Sequence, residues 1–379
     1  PMTKARENSD YTGLAADIVA GDTAARAGRK NLIINGAMAV AQRSSASVTV
    51  SNNSNEGYQT IDRMDTIFNS SLGGAVTVEQ VDDAPSGISN SLKYVSTTTT
   101  TPSGNQYFGL QYKIESQDLQ SVGYGTPEAK TMTFSFYMKS SNYTGSVSIA
   151  ALHHDAGTSY FTATAGTPTT SWTRYSVVIP ANTANVFNKN DSGLGMQLRI
   201  NLDCSSTNKA SSPTGWTSTR SDAVTGDGHF LAASGNEVLL TGLQLELGSV
   251  ATDFEHRSYG EELQLCQRYC FVLGNSPSAA HRIATGLSNS STTVYAMVEH
   301  PMIMRSLTTL TVASMSNMSV SNASVGTGLT GLAVQGVVSS TKATGLTATT
   351  AGGLTAQRPY FIEGTGTNIP VNLVFDAEL

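Results

Sequence analysis

Few side chains in this 379-residue chain are of the types that do chemistry, and their spacing limits what they can do. The densest titratable cluster is His153-His154-Asp155, among six histidines in all. A metal would need ligands returning on one face. Neighbours on a strand point to opposite faces, so these two imidazoles are not expected to share an ion. Asp82-Asp83 and Glu261-Glu262 are adjacent carboxylates of the kind that do acid/base work on a glycan. Asp82-Asp83 precedes the turn-like "APSG". Glu261-Glu262 falls at an expected helix start, where the macrodipole favours anions. The loops "NKNDSG" (188–193) and "DAVTGDG" (222–228) are rich in oxygen. They make Asp191, Asp222 and Asp227 the candidate ligands of a structural Ca²⁺, although neither loop follows EF-hand spacing and both are good turn formers. No cofactor beyond that ion is expected. There is no GxSxG, no HExxH and no Gly-rich loop leading into a phosphate-binding helix.

Sugar binding asks for flat aromatic faces beside polar edges. Trp172, Trp216 and Tyr107 are the candidates. Trp172 opens "SWTRYSVVIP", a position where an aromatic also serves as a core anchor, and Trp216 sits in a polar loop. The three cysteines, Cys204, Cys266 and Cys270, form no disulfide framework and read as small buried residues of a protein folded in a reducing cytoplasm.

Composition says what must position these groups. Charged residues are 13% of the chain, against roughly a quarter in an average soluble domain. Ser (46) and Thr (47) together fill 93 positions, Gly adds 35, and hydrophobic residues still reach 39%. That balance excludes a disordered chain and a helical bundle, and it reads as β-strands joined by many turns. A net charge of -6 gives no basic face for nucleic acid. No run approaches the roughly 20 apolar residues of a membrane span. The polar start, Pro1 to Asp10, has no signal-peptide apolar region.

The strands show by their period. "MTFSFYMKS" alternates Met132, Phe134, Phe136 and Met138 against Thr133, Ser135, Tyr137 and Lys139. "EVLLTGLQLELG" sets Leu239, Thr241, Leu243, Leu245 and Leu247 on one face. "TTVYAMVEHPM" sets Val294, Ala296 and Val298 against Tyr295, Met297 and Glu299. In "PVNLVFDAEL", Val371, Leu373 and Phe375 share a face. One helix interrupts the pattern. Ser258 and Glu261 have capping-box spacing, Leu263, Cys266, Gln267 and Cys270 recur at helical intervals, and Gly274 stops it. The expected architecture is all-β: a jelly-roll β-sandwich over 31–257, a linking helix over 258–274 and a second, smaller C-terminal β-sandwich over 275–379. Ala-rich residues 1–30 are expected to form an attachment or oligomer-contact arm.

Two stretches carry a family resemblance. "RKNLIINGAMAVAQRSS" (29–45) with "TIDRM" (60–64), and "LLTGLQLELGSVATDFEHRSYGEELQLCQRYC" (239–270), resemble a module of bacteriophage tail-fibre and virion structural proteins. The ending "VFDAEL" and the "SPTGW" segment (212–216) are similar as well. Met64 departs from the pattern, which more often has Trp after Asp-Arg. The resemblance implies a jelly roll similar to carbohydrate-binding modules, sometimes with a structural Ca²⁺. It also implies a homotrimeric virion appendage, assembled in the host cytoplasm, that touches the host surface. The resulting expectation is a non-enzymatic tail fibre, with other virion proteins and host surface polysaccharide as partners and with no nucleic acid or membrane insertion. The alternatives are a capsid or baseplate decoration or scaffold protein, and a glycan-degrading tailspike.

Overall fold

The computed structural model describes residues 29–379 apart from 52–56, 69–71, 156, 188, 212–214, 275–280, 323–325 and 365–371. The arm expected over 1–30 lies almost wholly outside the described residues. Two compact units emerge. The first runs through Ala39 and takes in Ala46–Gln59 and Met64–Arg257; the second is Val40–Ser45, Thr60–Arg63 and Ser258–Leu379. Among the described residues no helix is long and apolar enough to cross a membrane.

The first unit is an all-β sandwich of two six-stranded antiparallel sheets. In spatial order the first sheet is Val48–Ser51, Ala75–Val81, Ser91–Thr98, Glu237–Leu247, Met132–Lys139 and Thr173–Ile179. The second is Gly57–Tyr58, Asp65–Phe68, Tyr107–Glu115, Leu194–Cys204, Val147–His153 and Ser159–Gly166. Their inner faces meet where Tyr94 stands edge-on to Phe108 at 5.4 Å and the Tyr94 hydroxyl lies 3.0 Å from the Thr66 hydroxyl. In 132–139 the apolar set Met132, Phe134, Phe136 and Met138 is buried as read, but Thr133 and Ser135 on the opposite face are buried too, so the strand is not half-exposed.

The strand Glu237–Leu247 does not keep one phase. Leu239 pairs with outward Lys139, whereas Leu245 pairs with inward Phe134, because a bulge falls between Thr241 and Gln244. Gly242 takes φ +63° there, a conformation that glycine adopts without strain. Leu239 and Thr241 therefore lie opposite the face expected from strict alternation. This central strand is also where the two resembling stretches join. Leu32 N–H donates to Leu245 O (2.9 Å) and Leu243 N–H to Gly36 O (2.9 Å). The Asn31 amide fills in like a backbone group, donating to Leu243 O (3.0 Å) and accepting from Leu245 N–H (3.1 Å). A Cβ on Gly36 would sit 2.1 Å from Leu243 O, so only glycine fits. Arg257 closes the clasp on Ile33 O at 2.9 Å and Asn31 O at 2.5 Å.

The second unit contains the helix Tyr259–Gln267, capped by the Ser258 hydroxyl as its spacing predicts. The helix stops earlier than expected. Cys270–Leu273 is a strand, paired in register with Leu373–Asp376, and Phe271 stacks on Phe375 at 4.6 Å. Long-range pairing of an apolar "CFVL" run overrides the helical period. The second β unit, expected as a smaller sandwich, closes into a six-stranded barrel of His281–Ser288, Thr293–Glu299, Ala343–Thr350, Gly326–Val334, Met318–Ser321 and Pro359–Gly364. Val294, Val298, Val320, Leu346 and Ile362 fill its interior.

Residues 40–45 and 60–63 complete this unit by charge. Asp62 accepts from Gln42 N–H (3.1 Å), and the Gln42 amide donates to Cys270 O (2.8 Å). Arg43 donates to Asp376 at 2.7 Å, Arg63 pairs with Glu378, and the Arg63 guanidinium lies 3.6 Å over the Tyr269 ring. Arg305 holds the Ala377 and Glu378 carbonyls at 2.6 and 2.7 Å.

Candidate functional site

Of the three aromatic candidates, only Trp172 combines a half-buried ring with accessible polar partners. It immediately precedes the edge strand Thr173–Ile179. Its indole N–H donates to Asp83 Oδ1 at 2.9 Å, just beyond the strand Ala75–Val81. Lys139 ends the neighbouring central strand on an outward position. Its Nζ lies 2.6 Å from Asp83 Oδ2 and 5.9 Å from the Trp172 ring centroid. The Lys139 hydrogen bond, then that from Trp172, hold the Asp83 carboxyl below the usual carboxylate range. Asp83 remains 45% exposed at its side chain and keeps acceptor capacity for a ligand. Ser171 and Thr169 nearby in sequence are exposed, with the Thr169 and Thr173 hydroxyls 2.8 Å apart.

An indole plane flanked by a carboxylate acceptor and an ammonium donor suits a sugar. The ring takes the C–H face and the charged pair takes hydroxyls. The same geometry does not suit Asp83 for the general acid's part in the chemistry considered for Asp82-Asp83. A general acid needs a raised pKa, and Asp83 is held ionised.

Tyr107 and Trp216 are not brought to this surface. Tyr107 is 4% exposed, on the outer side of the second sheet, with the Arg199 guanidinium 4.7 Å and that of Arg220 5.5 Å from its ring. That leaves no face for a sugar. Trp216 donates to Pro180 O at 2.8 Å and packs edge-on to Tyr124 at 5.8 Å, so its ring is a packing anchor. The three aspartates proposed for Ca²⁺ are likewise separated by their partners. Asp191 caps the Gly193 N–H at 2.9 Å, Asp222 is shared by Arg199 (2.7 Å) and Arg220 (2.8 Å), and Asp227 pairs with Lys209. Among the described residues no group of three or more His, Cys, Asp or Glu side chains is arranged for a metal. His153 is buried against Tyr124 and Phe187, while His154 meets Gln197 Oε1 at 3.1 Å. Burial lowers the pKa of both.

The sequence reading missed the polar layer on the outer side of the second sheet. There Arg199, Asp222, Gln111 and Asn201 are buried and hydrogen-bonded to one another, and His229 meets Asp203 at 2.5 Å. Its signal was present in "MQLRINLD", where Gln197, Arg199, Asn201 and Asp203 alternate with Met196, Leu198, Ile200 and Leu202.

No family model matches the chain, and no curated protein matches it. Among solved structures it is similar to the CBM22-1 xylan-binding domain of Paenibacillus barcinonensis, with 12% identity over 55% of this chain and 99% of that one and a TM-score of 0.28. A family 11 carbohydrate-binding module from Clostridium thermocellum, in complex with a β-1,3-1,4-mixed-linked tetrasaccharide, gives 11% identity over 54% and 98%, TM-score 0.28. The enzymatically active domain of bacteriophage CBA120 tailspike protein 4 gives 13% identity over 57% of this chain and 21% of that one, TM-score 0.31. Likeness at this level extends to neither ligand nor activity, and the fold stands on the strand pairing above.

Proposed function

We propose that this chain is a non-enzymatic structural protein of a tailed-phage virion, a homotrimeric tail fibre whose sandwich binds host surface glycan at Trp172. The observation that carries the glycan part is the half-buried Trp172 ring set between Asp83 and Lys139. The phage part rests on the resemblance of 29–45, 60–64 and 239–270 to tail-fibre modules. The mechanism is rigid display: hydrogen-bonded strands fix the ring and its polar pair, and several copies turn weak contacts into avidity.

Sedimentation of purified protein with host cells, with and without host polysaccharide as competitor, tests this. The full chain is expected to co-sediment and to be displaced. Trp172→Ala should weaken capture by about tenfold or more. The ring is partly exposed, so the thermal midpoint should barely move. Failure to bind cells, with binding to other virion proteins instead, would favour the decoration or scaffold role. New reducing ends released from the polysaccharide would favour the tailspike.

A further inference from the structure

The outer wall of the C-terminal barrel is unusually apolar. Of eleven exposed large hydrophobic residues among those described, eight lie between 287 and 338. Most form one patch. Leu287 (55% exposed) pairs across the ladder with Tyr295 (41%), and Met297 (51%) is the next outward residue on the same strand. Met297 pairs with Gly345, over which Val338 packs. The main-chain bonds His300 N–H to Lys342 O (2.9 Å) and Met304 N–H to Thr341 O (2.8 Å) lay the 300–304 loop alongside. There Met302 and Ile303 join Met297 around an open depression of about 490 Å³. Large apolar side chains exposed contiguously in this way mark an interaction surface, whereas singly scattered ones do not.

We propose that this wall is a contact face between copies of this chain. Charge argues for a second copy. The patch carries two exposed charges of opposite sign at its rim, Glu299 and Lys342, with no ion-pair partner among the described residues. An apolar field with one acid and one base at its margin can repeat around a three-fold axis: Glu299 of one copy meets Lys342 of the next while the hydrophobic centres bury each other. The inference does not depend on the glycan reading, because no residue near Trp172 takes part.

Sedimentation velocity of the full chain over a wide concentration range tests it. Wild type is expected to be oligomeric. Met297→Asp with Ile303→Asp should raise the dissociation constant by about a hundredfold or more. Both side chains are half exposed, so circular dichroism should be unchanged. Glu299→Lys alone should weaken assembly, and adding Lys342→Glu should restore it, a rescue that misfolding would not give. A monomeric wild type, or an oligomer indifferent to the double aspartate variant and to the charge swap, would overturn the proposal.

Discussion

Burial sets the titration of Asp227. Its side chain is 1% exposed, and desolvation raises its pKa from 3.8 to about 6 in spite of the Lys209 ammonium beside it. The folded state therefore holds a proton that the unfolded chain releases. The stabilisation is complete below about pH 3.8 and is lost as pH rises through about 6. Between these values the unfolding free energy should fall, by about 3 kcal/mol at most from this group. Burial raises Asp203 in the same direction, so the two slopes add. Asp227→Asn should make the fall shallower. Denaturant melts at intervals from pH 4 to 6 measure it, and an Asp227→Asn profile with the same slope as wild type would contradict the assignment. Little of this was legible in the sequence. Asp227 read there as a candidate Ca²⁺ ligand in the turn-forming "DAVTGDG", and nothing local announces a lysine 18 positions upstream as its partner. Trp172 was legible as an aromatic and Lys139 as an outward strand position. Their meeting at Asp83 depends on the order of strands in the sheet, which the period of a strand does not encode.

At the scale of elements, period located the strands well but misjudged their ends and phases. The 293–299 alternation corresponds to a half-buried strand, while 132–139 keeps its register but is buried on both faces over most of its length, Thr133 and Ser135 included. Glu237–Leu247 carries an equally clear pattern and still changes face, since one glycine at positive φ inserts a bulge. The helix shows the converse failure. Its start was legible because capping is local, and its end was not, because Cys270–Leu273 is decided by a partner strand about a hundred residues away. The pairing leads to a prediction. Phe271 is 2% exposed and stacks on Phe375 with the rings 8° from parallel. Phe271→Ala should cost about 3–5 kcal/mol. The loss should appear in the unfolding transition of the second unit, followed in urea by hydrogen exchange of the barrel amides. A loss confined to the sandwich amides would mean that this strand does not hold the barrel unit together.

For the whole molecule, the resembling stretches divide between the two units. Residues 29–39 fasten onto the strand and loop that end the sandwich, and residues 40–45 and 60–63 leave it to complete the second unit. Chain continuity gives no sign of such excursions, so a linear reading assigns all of 31–257 to one domain. The charges show why the excursions matter. Asp62 and Arg63 are only 0% and 1% exposed, and Arg63 and Arg43 answer Glu378 and Asp376 near the end of the chain. Removing one partner of a buried ion pair costs roughly 3–5 kcal/mol, a large part of the 5–15 kcal/mol that holds a domain together. A fragment of residues 258–379 keeps the barrel, the helix and both acids but loses both arginines. It should melt without cooperativity, or well below the full chain, when followed by far-ultraviolet circular dichroism. A synthetic peptide of residues 38–64 added in excess should raise its midpoint in a concentration-dependent way, because anything that binds only the folded form stabilises it by mass action. A peptide with Arg43 and Arg63 changed to Gln should not. If 258–379 melts as sharply and as high as in the full chain, and ignores the peptide, then the barrel core alone folds this unit and the buried charges serve some purpose other than stability.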